Sequence, residues 1–202
     1  SISGWDEVAG SWPVATGGLS APPLVMETET GIAVAAADNG GKISVFGSSG
    51  EEEYFISLPS GEVNKANLAA SVDSSGITDR LIFLSAGNSS VNLRWWNFEQ
   101  DQAESVQLPI LAEGLDGNAV IAAGDILPER DGLEVYLALL RSGDIYLCCS
   151  EGILFERDLE SRIYRPAEVD INGDRALDLV VAGEDIIYAI SPSGANLTGW
   201  PR

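Results

Sequence analysis

One apolar segment recurs four times along this chain at nearly even spacing. Its copies occupy residues 31–37, 80–86, 134–140 and 178–183, so that successive copies start 44 to 54 residues apart. Each copy is short, rich in β-branched, aromatic or small apolar residues, and bounded by turn-forming residues, which is typical of a β-strand. Repetition at this period predicts a repeat architecture whose units bury their faces against one another.

A second apolar segment follows each copy after a short polar turn. These segments occupy residues 42–46, 91–96, 144–148 and 185–190, and further strand candidates follow three of them at 54–58, 105–108 and 153–157. Few stretches place apolar residues at helical spacing. The chain is therefore predicted to be all-β, and units of three or four strands with this period match the blades of a β-propeller.

We predict a single domain over residues 1–202 that forms a β-propeller-like array of about four blades. The approximate repeats are 11–65, 66–118, 119–165 and 166–202. Such an array either closes a small ring or forms part of a larger propeller. Trp95 and Trp96 are adjacent in one predicted strand, so one ring is expected to face the core and the other a neighbouring blade or solvent.

The fourth repeat contains the most specific motif, an aspartate-rich loop that leads into a predicted strand. Residues 169–180 read VDINGDRALDLV, and the following strand ends in the turn SPSG at 191–194 before GWP at 199–201. These residues resemble the FG-GAP and VCBS-type repeats of integrin-like β-propellers. The resemblance is close over residues 166–201 and loose over the other repeats.

Oxygen atoms in this loop have the spacing of a calcium site. A hard cation takes six to eight oxygen ligands, and loop positions one, three, five and nine can converge on one point. The predicted ligands are the side chains of Asp170, Asn172, Asp174 and Asp178 with the backbone carbonyl of Ala176, completed by water. An EF-hand would need Glu at position twelve, where this chain has Val181, so only the propeller type of loop fits.

A second interpretation of the loop needs no metal. The resemblance implies Gly at position six, but this chain has Arg175, whose guanidinium would compete with a bound cation. Asp170, Asn172 and Asp174 could instead cap the turn by accepting hydrogen bonds from their own backbone amides. Both interpretations stay open at this point.

The other repeats retain weaker versions of the loop. In the third repeat, residues 125–134 read DILPERDGLE, with an apolar residue at position three and one residue inserted. The first repeat offers only Glu27 and Glu29, and the second only Asp73 and Asp79. The oxygens of these two repeats are expected to belong to solvated turns.

Composition excludes several classes of function. With 31 acidic and 11 basic residues the formal net charge is -20, which repels phosphate backbones, so no nucleic acid partner is expected. Apolar runs are too short for membrane insertion. The absence of histidine removes Ser-His, Cys-His and His-ligated metal mechanisms. Cys148 and Cys149 are adjacent and are predicted to be free, buried thiols.

The resemblance implies recognition or adhesion outside the cytoplasm, so an extracellular, periplasmic or cell-surface location is expected. We expect a non-catalytic binding or scaffold module for a protein or carbohydrate ligand, with calcium stiffening one loop. The alternatives are a carboxylate-dependent glycan hydrolase or lyase on a propeller scaffold, and a fragment of a larger multidomain protein. An open array would expose strand edges and is expected to self-associate.

Overall fold

The structure is a computed structural model and describes residues 14, 16–72, 75–87, 90–110, 112–115, 119–124, 126–127, 130 and 133–202. In these residues the regular secondary structure consists of β-strands and one 3₁₀ helix, Ala112–Leu115. The all-β prediction is confirmed. No helix in the described part of the chain is long and apolar enough to cross a membrane.

The strands form four antiparallel sheets that follow one another along the chain. The first sheet contains, in order, β1 (Leu24–Thr28), β2 (Gly31–Ala37), β3 (Lys42–Phe46) and β4 (Glu52–Ser57). In the second sheet, β5 (Val63–Asn64) and β6 (Ala69–Val72) both pair with β7 (Thr78–Ala86), which is followed by β8 (Val91–Asn97) and β9 (Gln102–Leu108). Val63 and Asn64 therefore belong to the second sheet, although the second repeat is predicted to start at residue 66.

The last two sheets repeat this meander. The third contains β10 (Ala119–Gly124), β11 (Glu134–Leu139), β12 (Asp144–Cys149) and β13 (Gly152–Asp158). The fourth contains β14 (Ala167–Val169), β15 (Asp178–Ala182) and β16 (Ile187–Ile190). The predicted strand at 185–190 starts later than expected, because the Gly183 N–H donates to the Ile186 carbonyl at 2.7 Å and closes a turn.

The first and third sheets share two local features, a glycine turn before the third strand and a register shift within that strand. The chain therefore follows a similar path in both sheets. Gly41 and Gly143 both precede the third strand with positive φ (84° and 89°), and a Cβ on either would collide with a backbone carbonyl, of Glu62 and Ser161 respectively. The strand after each glycine carries a register shift, between Val45 and Phe46 in one sheet and at the equivalent point of β12 in the other. Only glycine fits such a turn without strain.

Three buried apolar clusters join consecutive sheets. The first lies between sheets one and two and includes Ile43 and Phe83, the second between sheets two and three includes Leu93 and Leu137, and the third between sheets three and four includes Leu147 and Leu179. In the described residues no cluster of this kind joins the fourth sheet to the first. Strand β11 is buried along its whole length because it has a sheet on each side.

The two tryptophans and the two cysteines are placed as predicted. Trp95 belongs to the cluster between sheets two and three, and Trp96 packs against the cluster between sheets one and two. The prediction that adjacent rings face opposite sides of the strand is confirmed. Cys148 and Cys149 are both free and buried, and burial raises the pKa of Cys148 to about 12, with Cys149 adding to the shift.

Both ends of the array expose apolar side chains. On the first sheet Val25 and Ile32 are 67% and 60% exposed, and on the fourth sheet Val169 and Ile187 are each 43% exposed. Their strand neighbours Met26 and Ala33 point into the cluster, so Val25 and Ile32 lie on the opposite face. Self-association through such faces stays a prediction.

Candidate functional site

The predicted calcium ligands all lie in the hairpin between β14 and β15. We call residues 170–178 the aspartate loop. Pairing of Val169 with Asp178 closes the hairpin, so the first eight residues of the loop project from the end of the fourth sheet. Because the chain turns back within these few residues, their side chains and backbone amides are forced close together.

Three side chains of the aspartate loop accept hydrogen bonds from its own backbone. Asp170 accepts from the N–H of Gly173 at 2.7 Å and of Arg175 at 3.0 Å. Asn172 accepts from the N–H of Asp174 at 2.8 Å, and Asp174 from that of Ala176 at 2.9 Å. These bonds are the turn capping that the second interpretation of the sequence expected.

Position six of the loop has the backbone conformation that glycine usually supplies. Arg175 has φ of 73°, in the left-handed region, although it carries a Cβ. The conformation costs roughly 1 kcal/mol or more for a residue other than glycine. Its exposed side chain points away from the core. The loop thus makes its sharp turn at position six with a residue other than glycine.

Asp178 is the buried anchor of the loop. Its side chain is fully buried, and Oδ2 accepts from the Ile171 N–H at 3.1 Å, whereas the buried Oδ1 has no hydrogen-bond partner. Burial is the largest effect on the pKa of this carboxyl and raises it, the Ile171 N–H opposes that rise, and the Asp174 and Asp170 carboxylates raise the pKa further, with a smaller opposing effect of the Asn172 N–H. A cation placed beside Oδ1 would act in the opposite direction.

The five predicted ligands share one loop but do not form a finished metal cage. No group of three or more acidic, histidine or cysteine side chains among the described residues is arranged to hold a metal ion. Most of the loop's carboxylate oxygens instead face backbone amides. Each carboxylate has further lone pairs, so side-chain rotation could bring them together. The donor chemistry fits a hard cation, and the calcium site stays a prediction.

The third sheet has a buried carboxylate in the same place, at the last residue of the weaker loop predicted at 125–134. Glu134 begins β11, is fully buried, and accepts from the Leu127 N–H at 3.4 Å. The Nε of Arg130 lies 3.8 Å from its Oε1, and the Arg130 Nη2 is 2.8 Å from Glu151. Arg130 is the sixth residue of its loop, as Arg175 is of the aspartate loop. The arginine at position six of both loops is the sequence feature that could have indicated that the two loops are equivalent.

The remaining loop acids differ from one another. Glu29 is exposed in the β1–β2 turn, as predicted, whereas Glu27 is exposed but lies within strand β1. The solvated-turn prediction is wrong for Asp79, which is half-buried within β7 and accepts from the Ser71 hydroxyl at 2.6 Å. Asp73 and half of the predicted loop at 125–134 lie outside the described residues.

Two carboxyls near the junction of sheets three and four have raised pKa values. One is Glu168, whose pKa is raised by burial and whose Oε1 has no hydrogen-bond partner. The second is Asp178, described above. Tyr136, whose hydroxyl donates to the Leu177 carbonyl at 3.1 Å, has its pKa raised by burial and then by these two charges. Neither carboxyl lines the cleft of about 100 Å³ between sheets one and two or the cleft of about 460 Å³ on the outer side of sheet one. The pair gives no support to glycan hydrolysis in those clefts.

Comparisons with known proteins identify the fold and nothing narrower. No family model matches the chain, and no curated protein matches it. Among solved structures, BBS1N in complex with ARL6DN is 14% identical with a TM-score of 0.63, over 89% of this chain and 55% of that one. BamB from Moraxella catarrhalis is 15% identical with a TM-score of 0.55, over 93% and 50%. A protein of unknown function from Bacteroides caccae is 14% identical with a TM-score of 0.56, over 88% and 59%.

The chain thus spans about half to three-fifths of these neighbours' lengths. At such identities the likeness concerns the fold alone, and the resemblance to FG-GAP and VCBS-type repeats stays a prediction. BBS1N and BamB are β-propeller folds with many antiparallel sheets. The chain is accordingly a β-propeller-like array of four antiparallel sheets.

Proposed function

We propose that this chain is a non-catalytic binding or scaffold module whose ligand is a protein, and that Ca²⁺ stiffens its aspartate loop. Support for a protein ligand comes from the structural neighbour BBS1N, which is in complex with ARL6DN. A shared fold does not determine a shared function, so the comparison supplies only the class of role. An extracellular, periplasmic or cell-surface location accompanies this proposal as a prediction.

The observation that carries the calcium part is the buried Oδ1 of Asp178. An ionised carboxylate that is buried without compensation costs several kcal/mol, and the structure offers this oxygen no hydrogen-bond partner. In the third sheet, the guanidinium of Arg130 stands near the equivalent Glu134. In the fourth sheet, Arg175 occupies the same loop position, and no ion pair joins it to Asp178 in the described part of the chain. A bound cation would take the place of the missing positive charge.

The proposed ligands are the side-chain oxygens of Asp170, Asn172, Asp174 and Asp178 and the carbonyl of Ala176. Carboxylates, amide oxygens and backbone carbonyls are the ligands that Ca²⁺ prefers. The ion would hold the loop in one conformation and would perform no chemistry. A stiff loop at the end of a sheet loses less conformational entropy when it meets a partner.

Calorimetric titration of the metal-free protein with calcium tests the loop. We expect one ion per chain and thermal stabilisation equivalent to about 2.7 kcal/mol when calcium is 100 times Kd. Asp174→Ala and Asp178→Asn should abolish both effects. The control Asp185→Asn removes one exposed acid from the next loop and should leave both intact. Equal loss in the control, or no binding at millimolar calcium, would contradict the calcium part.

The binding role is tested separately by its ligand. The full chain is screened against a displayed peptide and protein library and against a glycan array, each with calcium and with EGTA. We expect saturable retention of a protein ligand that mass spectrometry shows to be chemically unchanged. Retention of glycans alone would assign a carbohydrate ligand, and recovery of cleaved glycan would replace this proposal with the hydrolase or lyase alternative.

A further inference from the structure

A cleft of about 100 Å³ lies where the first sheet meets the second. Its walls come from the β1–β2 turn, from β4, from the start of β7 and from the end of β8. The lining residues that matter here are Glu29, Tyr54, Asp79, Phe98 and Glu99. Both sheets are needed to form this cleft, so it exists only in the packed array.

The charge of the cleft has one sign. Among the described residues, its lining includes three acidic residues and no basic one. Glu29 and Glu99 are exposed, and neither has an ion pair or side-chain hydrogen bond with another described residue. Asp79 is less available, because it accepts from the Ser71 hydroxyl at 2.6 Å and lies 3.8 Å from the Arg80 Nε. Two carboxylates therefore border the cleft without a cation.

An aromatic pair forms another part of the wall. The Tyr54 and Phe98 rings are 5.6 Å apart and pack edge to face at 65°. Tyr54 remains 38% exposed despite this contact. Aromatic rings attract cations through their negative faces, and an adjacent carboxylate adds to that attraction. Aromatic surface combined with unpaired acids suits a group that is flat or compact, apolar along its stem and positively charged at its tip.

The volume limits the ligand further. The cleft is small, at about 100 Å³. The end of one lysine or arginine side chain suits a cleft of this size. The formal net charge of -20 would also speed the approach of a basic partner.

We propose that this cleft receives a lysine or arginine side chain from a basic segment of the partner protein. This inference rests on the proposed protein-binding role and is independent of calcium. The partner's stem would lie along Tyr54 and Phe98, and its charged tip would reach Glu29 and Glu99. The partner segment is thus defined by its positive charge and by one lysine or arginine side chain that enters the cleft.

The test is a nuclear magnetic resonance titration of the ¹⁵N-labelled full chain with short peptides at low salt. The probes are acetyl-Gly-Gly-Arg-Gly-Gly-amide, its lysine counterpart, and its citrulline counterpart, which keeps the shape of arginine without the charge. We expect saturable shifts of backbone amides in residues 28–30, 77–79 and 98–99 with the arginine or lysine peptide. The citrulline peptide should bind at least five times more weakly.

Two matched double variants and one single variant decide whether the cleft itself is responsible. Glu29→Gln with Glu99→Gln should weaken binding about five- to tenfold, and Tyr54→Leu about two- to fivefold. Glu184→Gln with Asp185→Asn changes the net charge by the same amount at exposed positions in the fourth sheet and should change binding less than twofold. Circular dichroism of each variant checks that its fold is retained.

Equal weakening by the two double variants, equal binding of the citrulline peptide, or shifts spread over the whole chain would overturn the proposal. Shifts of the same amides by a neutral methyl glycoside would assign the cleft to a carbohydrate and would also overturn it. If no peptide binds while the library screen still yields a protein ligand, the cleft assignment fails and the proposed function stands.

Discussion

Asp178 and Glu134 hold equivalent positions in neighbouring sheets. Each is the first residue of its sheet's second strand, each is fully buried, and each accepts a hydrogen bond from the backbone N–H seven residues earlier, Ile171 and Leu127 respectively. The two sites differ in positive charge, because the Nε of Arg130 lies 3.8 Å from Glu134 Oε1, whereas no described residue forms an ion pair with Asp178. This difference leads to the first two predictions.

Replacing Arg130 should destabilise the third sheet. Arg130→Met removes the guanidinium near a side chain that is only 1% exposed, and we expect a loss of about 1 to 2 kcal/mol in the free energy of unfolding, measured with urea. Combining it with Glu134→Gln should recover most of that loss. Glu151→Gln breaks only the exposed contact of Arg130 and should cost less than about 0.5 kcal/mol. A larger effect of Glu151→Gln would show that the exposed pair dominates.

Asp178 should make calcium-free stability depend on pH. Its pKa is raised in the folded state, so the folded protein holds this proton longer than the unfolded chain. The contribution of Asp178 to the free energy of unfolding is therefore most favourable below the ordinary aspartate pKa of about 4. It is lost as the pH rises through the raised pKa of the folded state. Asp178→Asn should abolish this loss and be more stable than wild type at pH 7 in EGTA. The difference between the two unfolding free energies across pH isolates the group, and a pH-independent difference would contradict the assignment.

Arg175 should be replaceable by glycine with a gain in stability. Its φ of 73° strains a residue with a Cβ, and glycine removes that strain at a smaller entropic cost in the unfolded chain. We expect Arg175→Gly to raise the free energy of unfolding by up to about 1 kcal/mol in EGTA. Arg175→Ala keeps the Cβ and removes the charge, so the calorimetric difference between the two variants measures the backbone effect alone. Equal stability of both would show that the turn is unstrained.

Two glycines with similar backbone angles should respond very differently to alanine. Gly143 and Gly61 have φ of 89° and 84°, but a Cβ at Gly143 would collide with the Ser161 carbonyl, whereas a Cβ at Gly61 meets nothing within 4 Å. We expect Gly61→Ala to cost about 1 kcal/mol and Gly143→Ala at least about 2 kcal/mol more. Urea unfolding of the pair checks this. Similar costs would mean that the β13–β14 connection moves aside freely.

Local pattern was enough to locate the strands. The second and third strands of each sheet were predictable because alternation, β-branched content and turn residues act within a few residues of chain. Strand β2 (Gly31–Ala37) and strand β3 (Lys42–Phe46) have the predicted bounds. The short strand β5 was missed, since two residues carry no pattern, and it exists only because Val63 and Asn64 pair with the end of β7.

The amino-acid sequence by itself determined the repeat, the all-β class, the acidic charge and the positions of the five candidate ligands in one loop. Only the tertiary structure decided that Asp178 is buried with an unpaired oxygen, that Arg130 reaches Glu134, and that Tyr54 and Phe98 border an acidic cleft. The physical reason is the distance along the chain over which each interaction acts. Strand formation and turn capping depend on neighbours along the chain, whereas burial and charge compensation depend on which sheet packs against which.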